Sequence, residues 1–496
     1  MSAIAHIAAR GRACALATIA ATMLGACAVG PAFVRPAPPG EATYTREPQA
    51  EKIAADGQTQ QFKADTALAV DWWKLFQSTQ LDAVVRQAIA NSPTLVASEA
   101  TLRQSRDKLR AGYGVFFPQV DAGIGASREH SAPLMNGLQT SSTIFNVVTL
   151  SGTVGYALDV FGGERRAVES LRAEADYQRN ANLAAYLALS ANVVNTSIAR
   201  AAYAAEIRAT EQLIDMEQQQ LAAIEVQAKS GTAAYAGVLG MRSQIAASQA
   251  ALAPLRQKID QSEHLLATLE GLTPSAASLP DIELSTLSLP TDLPLSLPSD
   301  LVRQRPDILQ AEAQLHEASA NIGVATAAMF PSFSLTGTYG AAGSSLGNLS
   351  AESGRFWSVG PSISIPLFRG GALWYERKAA IDAYQAAQAN YRQSVLIAFA
   401  QVADTLKALQ HDAEALQAQA EAKRAAAEAL HLLQAGYKAG MAAYVDVLSA
   451  DVQYQQASIG YVQAVAQRQQ DTVALFVALG GGWWNANNQS AEGRAP

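Results

Sequence analysis

"YALDVFGGERRA", residues 156–167, holds the transition on which the fold turns. Tyr156, Leu158 and Val160 alternate with Ala157 and Asp159, the period of a half-buried strand. Beyond Gly162 and Gly163 no glycine or proline occurs until Gly231, so Glu164 to Ser230 reads as one helix of about 100 Å, at 1.5 Å per residue. A strand is therefore followed by a very long helix with only a glycine pair between them. "IPLFRGGALWYERKAA", residues 365–380, does the same, and Ala372 to Ala435 again lacks glycine and proline.

This echo belongs to a longer internal repeat, spaced by about 210 residues. "NSPTLVASEA" (91–100) answers "QRPDILQAEA" (304–313), "FFPQV" (116–120) answers "MFPSF" (329–333), and "KSGTAAYAGVL" (229–239) answers "KAGMAAYVDVL" (438–448). Each copy reads as a helix of about 30 residues, a strand pair, an unbroken helix, a glycine turn and another helix. Between the copies, "SLPDIELSTLSLPTDLPLSLPSDL" carries prolines that no helix interior tolerates, so it is expected to be an extended connector.

The strands alternate cleanly. Val120, Ala122, Ile124 and Ala126 share one face, with Asp121, Gly123, Gly125 and Ser127 on the other; Val148, Leu150, Val154, Tyr156 and Leu158 stand against Thr149, Ser151 and Thr153. In the second copy Phe333, Leu335 and Tyr339 oppose Ser332, Ser334, Thr336 and Thr338, and Trp357, Val359, Ile363 and Ile365 oppose Ser358, Gly360, Ser362 and Ser364. Lipid on one side and water on the other produces this dyad pattern. A soluble antiparallel sheet over a core shows the same period, but strands of about 12 to 16 residues exceed the usual five or six and suit a tilted membrane crossing. Four strands cannot close a barrel, so such a barrel has to be shared between chains: two chains give a filled one, three give about twelve strands and a lumen.

The remaining composition narrows the choice. The formal net charge of −7, with 36 basic and 43 acidic residues, gives no reason to expect a nucleic-acid partner. The start carries Arg10 and Arg12, an apolar run and small residues before Cys27, the layout of a secretory signal too short to span a bilayer. "LGAC" (24–27) resembles the lipobox of bacterial lipoproteins, in which the cysteine becomes an acylated N-terminus; the alternative is an ordinary signal with an incidental cysteine. Cys14 leaves with the signal, so no thiol pair remains for a disulfide or a metal. The six histidines, His6, His130, His264, His316, His411 and His431, are scattered, and no phosphate loop or nucleophile motif occurs. Neither enzymatic activity, nor a metal, nor a cofactor is expected.

Several segments together resemble the TolC-like outer membrane factor family, in its NodT-type efflux lipoprotein branch. They are "CAVGPAFVRPAPP", "WWKLFQSTQLDAVVRQAIANSPTL", "LPSDLVRQRPDILQAEAQLHEASANIGVATAAMFPSFSLTG", "IPLFRGG", "AGYKAGMAAYVDVLSADVQY" and "ALGGGWW". The resemblance covers essentially the whole chain. It implies a mainly α protein with a membrane β-barrel, three chains contributing four antiparallel strands each to a twelve-stranded barrel continued by a long periplasmic helical tunnel. It implies a passive outer membrane channel of a tripartite efflux system in a Gram-negative bacterium, with a membrane-fusion adaptor, an RND-type or similar inner membrane pump and outer membrane lipid as partners. A protein-secretion channel is the alternative within the family, and a periplasmic coiled-coil scaffold the alternative outside it.

On this reading residues 1–26 are the lipoprotein signal, 27–78 a lipidated extended segment, 79–277 the first repeat, 278–299 the connector, 300–482 the second repeat and 483–496 a tail. Within the repeats the hairpins are expected at 117–161 and 330–368, the long helices at 163–230 and 371–436, and their partners at 232–271 and 440–480. Cys27 is the expected lipidation site. Gly162, Gly163, Gly370 and Gly371 are the expected barrel-to-helix joints. The resemblance places Gly231, Tyr437, Lys438, Gly440 and Asp446 at the periplasmic tip and gate, and Lys229 and Asp451 beside them are the next candidates there. Ser449 stands where some relatives carry a second acidic residue, and Gly237 takes the place of Asp446 in the first copy, which weakens any expectation of a strong acidic ring.

Overall fold

The computed structural model describes residues 28–40, 43–47, 50–64, 68–131 and 143–485. The expected signal and Cys27 lie outside the described residues, as does most of the expected tail. In chain order the elements are β1 (Lys52–Ala55), β2 (Gln58–Ala64), α1 (Thr79–Asn91), α2 (Pro93–Gly112), β3 (Gln119–Ser131), β4 (Thr143–Leu158), α3 (Gly163–Lys229), α4 (Tyr235–Leu269), β5 (Asp292–Leu295), α5 (Pro298–Gln304), α6 (Pro306–Ala327), β6 (Ser332–Gly343), β7 (Arg355–Ser364), α7 (Ala372–Lys438) and α8 (Tyr444–Ala478). The protein is mainly helical, and α3 and α7 each run for 67 residues. The chain divides into two compact units.

The first unit comprises the chain up to Arg35, Leu102–Gln178 and Ala311–Tyr391. It holds a four-stranded antiparallel sheet in the order β3-β4-β6-β7. Register keeps like with like: Ile124 faces Leu150, Tyr156 faces Leu335, and Tyr339 faces Trp357. Gly123 faces Ser151 and Thr338 faces Ser358 on the opposite side, where the Thr153 and Thr338 hydroxyls approach to 3.5 Å.

The second unit comprises Pro36–Thr101, Arg179–Gln310 and Arg392 onward. Its core gathers the "WWKLF" aromatics: Trp72, Trp73 and Phe76 are buried, and Trp72 lies 5.6 Å from the ring of Phe476. The Trp73 indole donates to Asp82 Oδ1 at 2.9 Å, which satisfies its one polar atom inside that core.

Two segments depart from the sequence reading. Residues 79–112 and 300–329, each taken as one helix, are broken at Ser92 and Arg305, whose ψ angles are 118° and 125°. A proline follows each, and its ring forces the preceding residue out of the helical region and removes a donor. Residues 27–78, expected to be extended, contain the β1–β2 hairpin, and β5 of the connector joins it by parallel pairing with β2, Gln61 opposite Asp292. Asp56 and Gly57, at φ 48° and 77°, form the two-residue turn that matches strand twist. Pro294 is tolerated because β5 is an edge strand.

Candidate functional site

Three places concentrate the features that bear on function: the faces of the large sheet, the glycine joints, and the turns that end the long helices. On the sheet, none of the described residues covers the apolar face. Val154, Leu150, Tyr339, Ile124, Trp357 and Val120 range from 43% to 74% exposed. A sheet packed on a soluble core buries such residues, so this face is built for a medium that is itself apolar. The outer strands β3 and β7 each pair on one side only among the described residues, leaving two edges open.

At the first joint the strand-to-helix handover is made by a side chain. The Asp159 carboxylate accepts the backbone N–H groups of Glu164 and Arg165, both at 3.0 Å, and the Arg165 guanidinium at 3.1 Å. It thus satisfies free donors at the start of α3 and places negative charge at the positive end of the helix dipole. Gly162 has φ 77°, and a Cβ there would lie 2.7 Å from Ala28 Cα, so both angle and space require glycine. The N-terminal segment is tied to the same spot, with Val29 donating to the Phe161 carbonyl at 3.0 Å. Gly163 faces Ala327 more loosely, and Gly370 and Gly371 turn with positive φ at the second joint.

The helix ends at Gly231 and Gly440 share one set of bonds. Thr232 donates to Gln227 and Gly231 to Ala228; Met441 donates to Gly436 and Gly440 to Tyr437. Both glycines sit at positive φ, so each long helix stops in the same left-handed cap. Near these turns the Tyr437 hydroxyl accepts from Gln227 at 2.6 Å, and its ring packs 5.6 Å from Tyr444, whose hydroxyl donates to Gln220 at 3.3 Å. The helical hairpin formed by α7 and α8, the second of two after α3–α4, is thereby pinned to α3. Lys229 lines an open pocket with Glu225, Tyr235 and Arg242, where Arg242 pairs with Glu225 at 2.7 Å. Lys438 is exposed.

The two acidic candidates separate in space. Asp446 is exposed and accepts the Ala443 N–H at 3.2 Å, so it caps its own helix. Asp451 is 1% exposed and neither of its oxygens has a hydrogen-bond partner among the described residues. Burial and the Glu217 carboxylate push its pKa up to about 6. Glu217, equally buried, was invisible to sequence reasoning, because a lone glutamate in so long a helix reads as solvent-facing.

A profile of the outer membrane efflux protein family matches residues 84–272 and 297–481. The pyoverdine export outer membrane protein OpmQ of Pseudomonas aeruginosa is 30% identical over 94% of this chain and 96% of its own. The toluene efflux pump outer membrane protein TtgC of Pseudomonas putida is 29% identical, with 79% of each chain covered. The solved outer-membrane channel OprN matches with a TM-score of 0.83 at 25% identity, over 92% of this chain and all of its own. By sequence over nearly its full length and by fold, this chain belongs to the outer membrane efflux protein family.

Proposed function

We propose that the protein is the outer membrane channel of a tripartite efflux system, a passive conduit that carries small molecules outward while an inner membrane pump and a periplasmic adaptor supply energy and selection. The observation that carries this reading is the uncovered apolar face of a four-stranded sheet with two open edges. Open edges in hydrocarbon leave backbone groups unsatisfied at a cost of several kcal/mol each, so the sheet has to be completed by other copies. Three copies give twelve strands, with the Thr and Ser face turned to a water-filled lumen. OpmQ and TtgC are named for different cargoes on one architecture, which fits a channel that does not itself choose. Native mass measurement in detergent is expected to give three chains, and planar bilayers are expected to show ion conductance; a stable monomer, or a trimer without conductance, would refute the reading.

Cys27 is proposed as the lipid anchor. Its neighbour Ala28 packs against Gly162, just beyond the end of β4 at Leu158, whose side chain is exposed on the apolar face. Cys27→Ser is expected to abolish incorporation of labelled palmitate while the trimer still forms. Label persisting on another residue would contradict the anchor.

The helix turns at Gly231 and Gly440 are proposed as the periplasmic tip, where the adaptor docks and the channel is gated. Lys229, Lys438 and the two glycines form its exposed surface, and Tyr437 holds the two hairpins together through Gln227. Tyr437→Phe deletes one hydrogen bond per chain, worth about 1 kcal/mol, from the closed state. Raised single-channel conductance in the intact trimer is the expected result, whereas Asp446→Ala, which removes only a helix cap, is expected to leave conductance near the wild-type level.

A further inference from the structure

Near the tip, α3, α4 and α8 meet in an apolar cluster: Ile207, Ile214 and Leu221 from α3, Met241, Ile245 and Leu252 from α4, and Tyr444 and Leu448 from α8. Glu217, Ser248 and Asp451 each stand three residues beyond a member of that cluster, so they share its face one turn along. Both carboxyls are only 1% exposed. Ser248 donates to Glu217 Oε1 at 3.2 Å and Gln244 also lies against the Glu217 carboxyl, while both oxygens of Asp451 are without a hydrogen-bond partner among the described residues. The other face of α8, with Val447, Ala450 and Tyr454, packs on Leu430, Leu433 and Tyr437 of α7. The carboxyl pair therefore sits in the seam between the second hairpin and the first.

Two ionised carboxylates in an apolar seam without a counter-charge are not sustainable, and the group neutralises instead. We propose that Glu217 and Asp451 form a proton-operated latch: the second hairpin stays packed on α3 and α4 while the pair holds protons, and loosens as the pair ionises. This rests on the tip being the gate. The titratable groups around the pair are Tyr444 on α8 and, packed on its ring, Tyr437 of α7; α4 contributes Ser248 and Gln244, which do not titrate. Burial raises the pKa of both carboxyls, and the Glu217 carboxylate raises that of Asp451 further. Protons thus favour the packed seam at acid pH, and that preference is lost as pH rises through about 6.

The expected size for Asp451 alone is about a fourfold loss of the packed state, relative to the open one, between pH 5.5 and 7.5. Hydrogen–deuterium exchange over residues 444–455 of the detergent-solubilised trimer, corrected for intrinsic rates, is expected to quicken by that factor. The double variant Asp451→Asn/Glu217→Gln, which keeps shape but cannot ionise, is expected to exchange slowly and without pH dependence, and Asp451→Asn alone with a weaker dependence than wild type. Wild-type exchange that is flat with pH, or an Asp451→Asn trimer that keeps the wild-type dependence, would overturn the latch. Slowing by millimolar Mg²⁺ or Ca²⁺ at pH 7.5, absent in Asp451→Asn, would also overturn it by making the pair a cation site. Single-channel recording separates the two readings: no conductance at any pH removes the gate itself, whereas conductance that ignores pH in a trimer with flat exchange removes only the latch.

Discussion

Val154→Arg is expected to prevent insertion into the outer membrane. Val154 lies on the apolar face of β4, opposite Val120 and Gly337, and is 43% exposed with none of the described residues over it. A lipid-facing guanidinium costs about 2–4 kcal/mol at the bilayer midplane and less toward the interfaces, and the three chains of the proposed barrel each incur it. Ser358→Arg, on the other face and opposite Thr338, leaves the lipid contact untouched, so it is expected to insert and to shift ion selectivity toward anions. Membrane fractionation of both variants decides the matter. Equal insertion of the two would mean that the exposed apolar face does not meet lipid.

The second large effect is expected at Arg305, where the side chain joins three elements of the second unit. It is 6% exposed; Nη1 donates to the Ala478 carbonyl at 2.8 Å, Nη2 to Gln401 at 2.7 Å and to Asp307 at 2.6 Å, and Nε to Asp307 at 3.0 Å. Asp307 in turn accepts the Ile308 N–H at 2.9 Å, at the start of α6. One guanidinium thus holds the break before Pro306 and satisfies a carbonyl at the end of α8. Arg305→Met strands the buried Ala478 carbonyl, while the half-exposed Asp307 and the exposed Gln401 turn to water, and it is expected to lower stability by about 1–3 kcal/mol per chain. Arg305→Lys is expected to recover little of this, since an ammonium cannot serve three acceptors in a plane. The heat-dissociation temperature of the trimer measures both. A midpoint within a degree of wild type for Arg305→Met would show that the fork carries no such load.

The long strands and glycine turns are legible in the sequence because their causes are local and repeated. A sheet with lipid on one side alternates strictly, and a residue at positive φ with backbone pressed against it has to be glycine. Asp159 was legible only as a polar-face strand residue; its role as a cap emerges from the turn that brings it back to Glu164 and Arg165. The β1–β2–β5 sheet was missed because its strands are short, although Asp56–Gly57 between two polar-apolar runs was a turn signal that could have been used. Arg305 stood inside the most distinctive motif, yet its partners Gln401 and Ala478 are set by packing. Glu217 and Asp451 lie furthest from legibility: nothing local distinguishes a buried carboxyl from a solvated one in a helix that is alanine-rich on every side.

The two open edges of the β3-β4-β6-β7 sheet also carry a genetic consequence. If β7 of each chain has to find β3 of the next, a subunit with one ruined edge spoils the whole ring it enters. In a cell making equal amounts of normal and edge-defective chains, random mixing leaves about one ring in eight free of the defect. Such alleles would behave as dominant, while a chain too damaged to join any ring would be silently recessive.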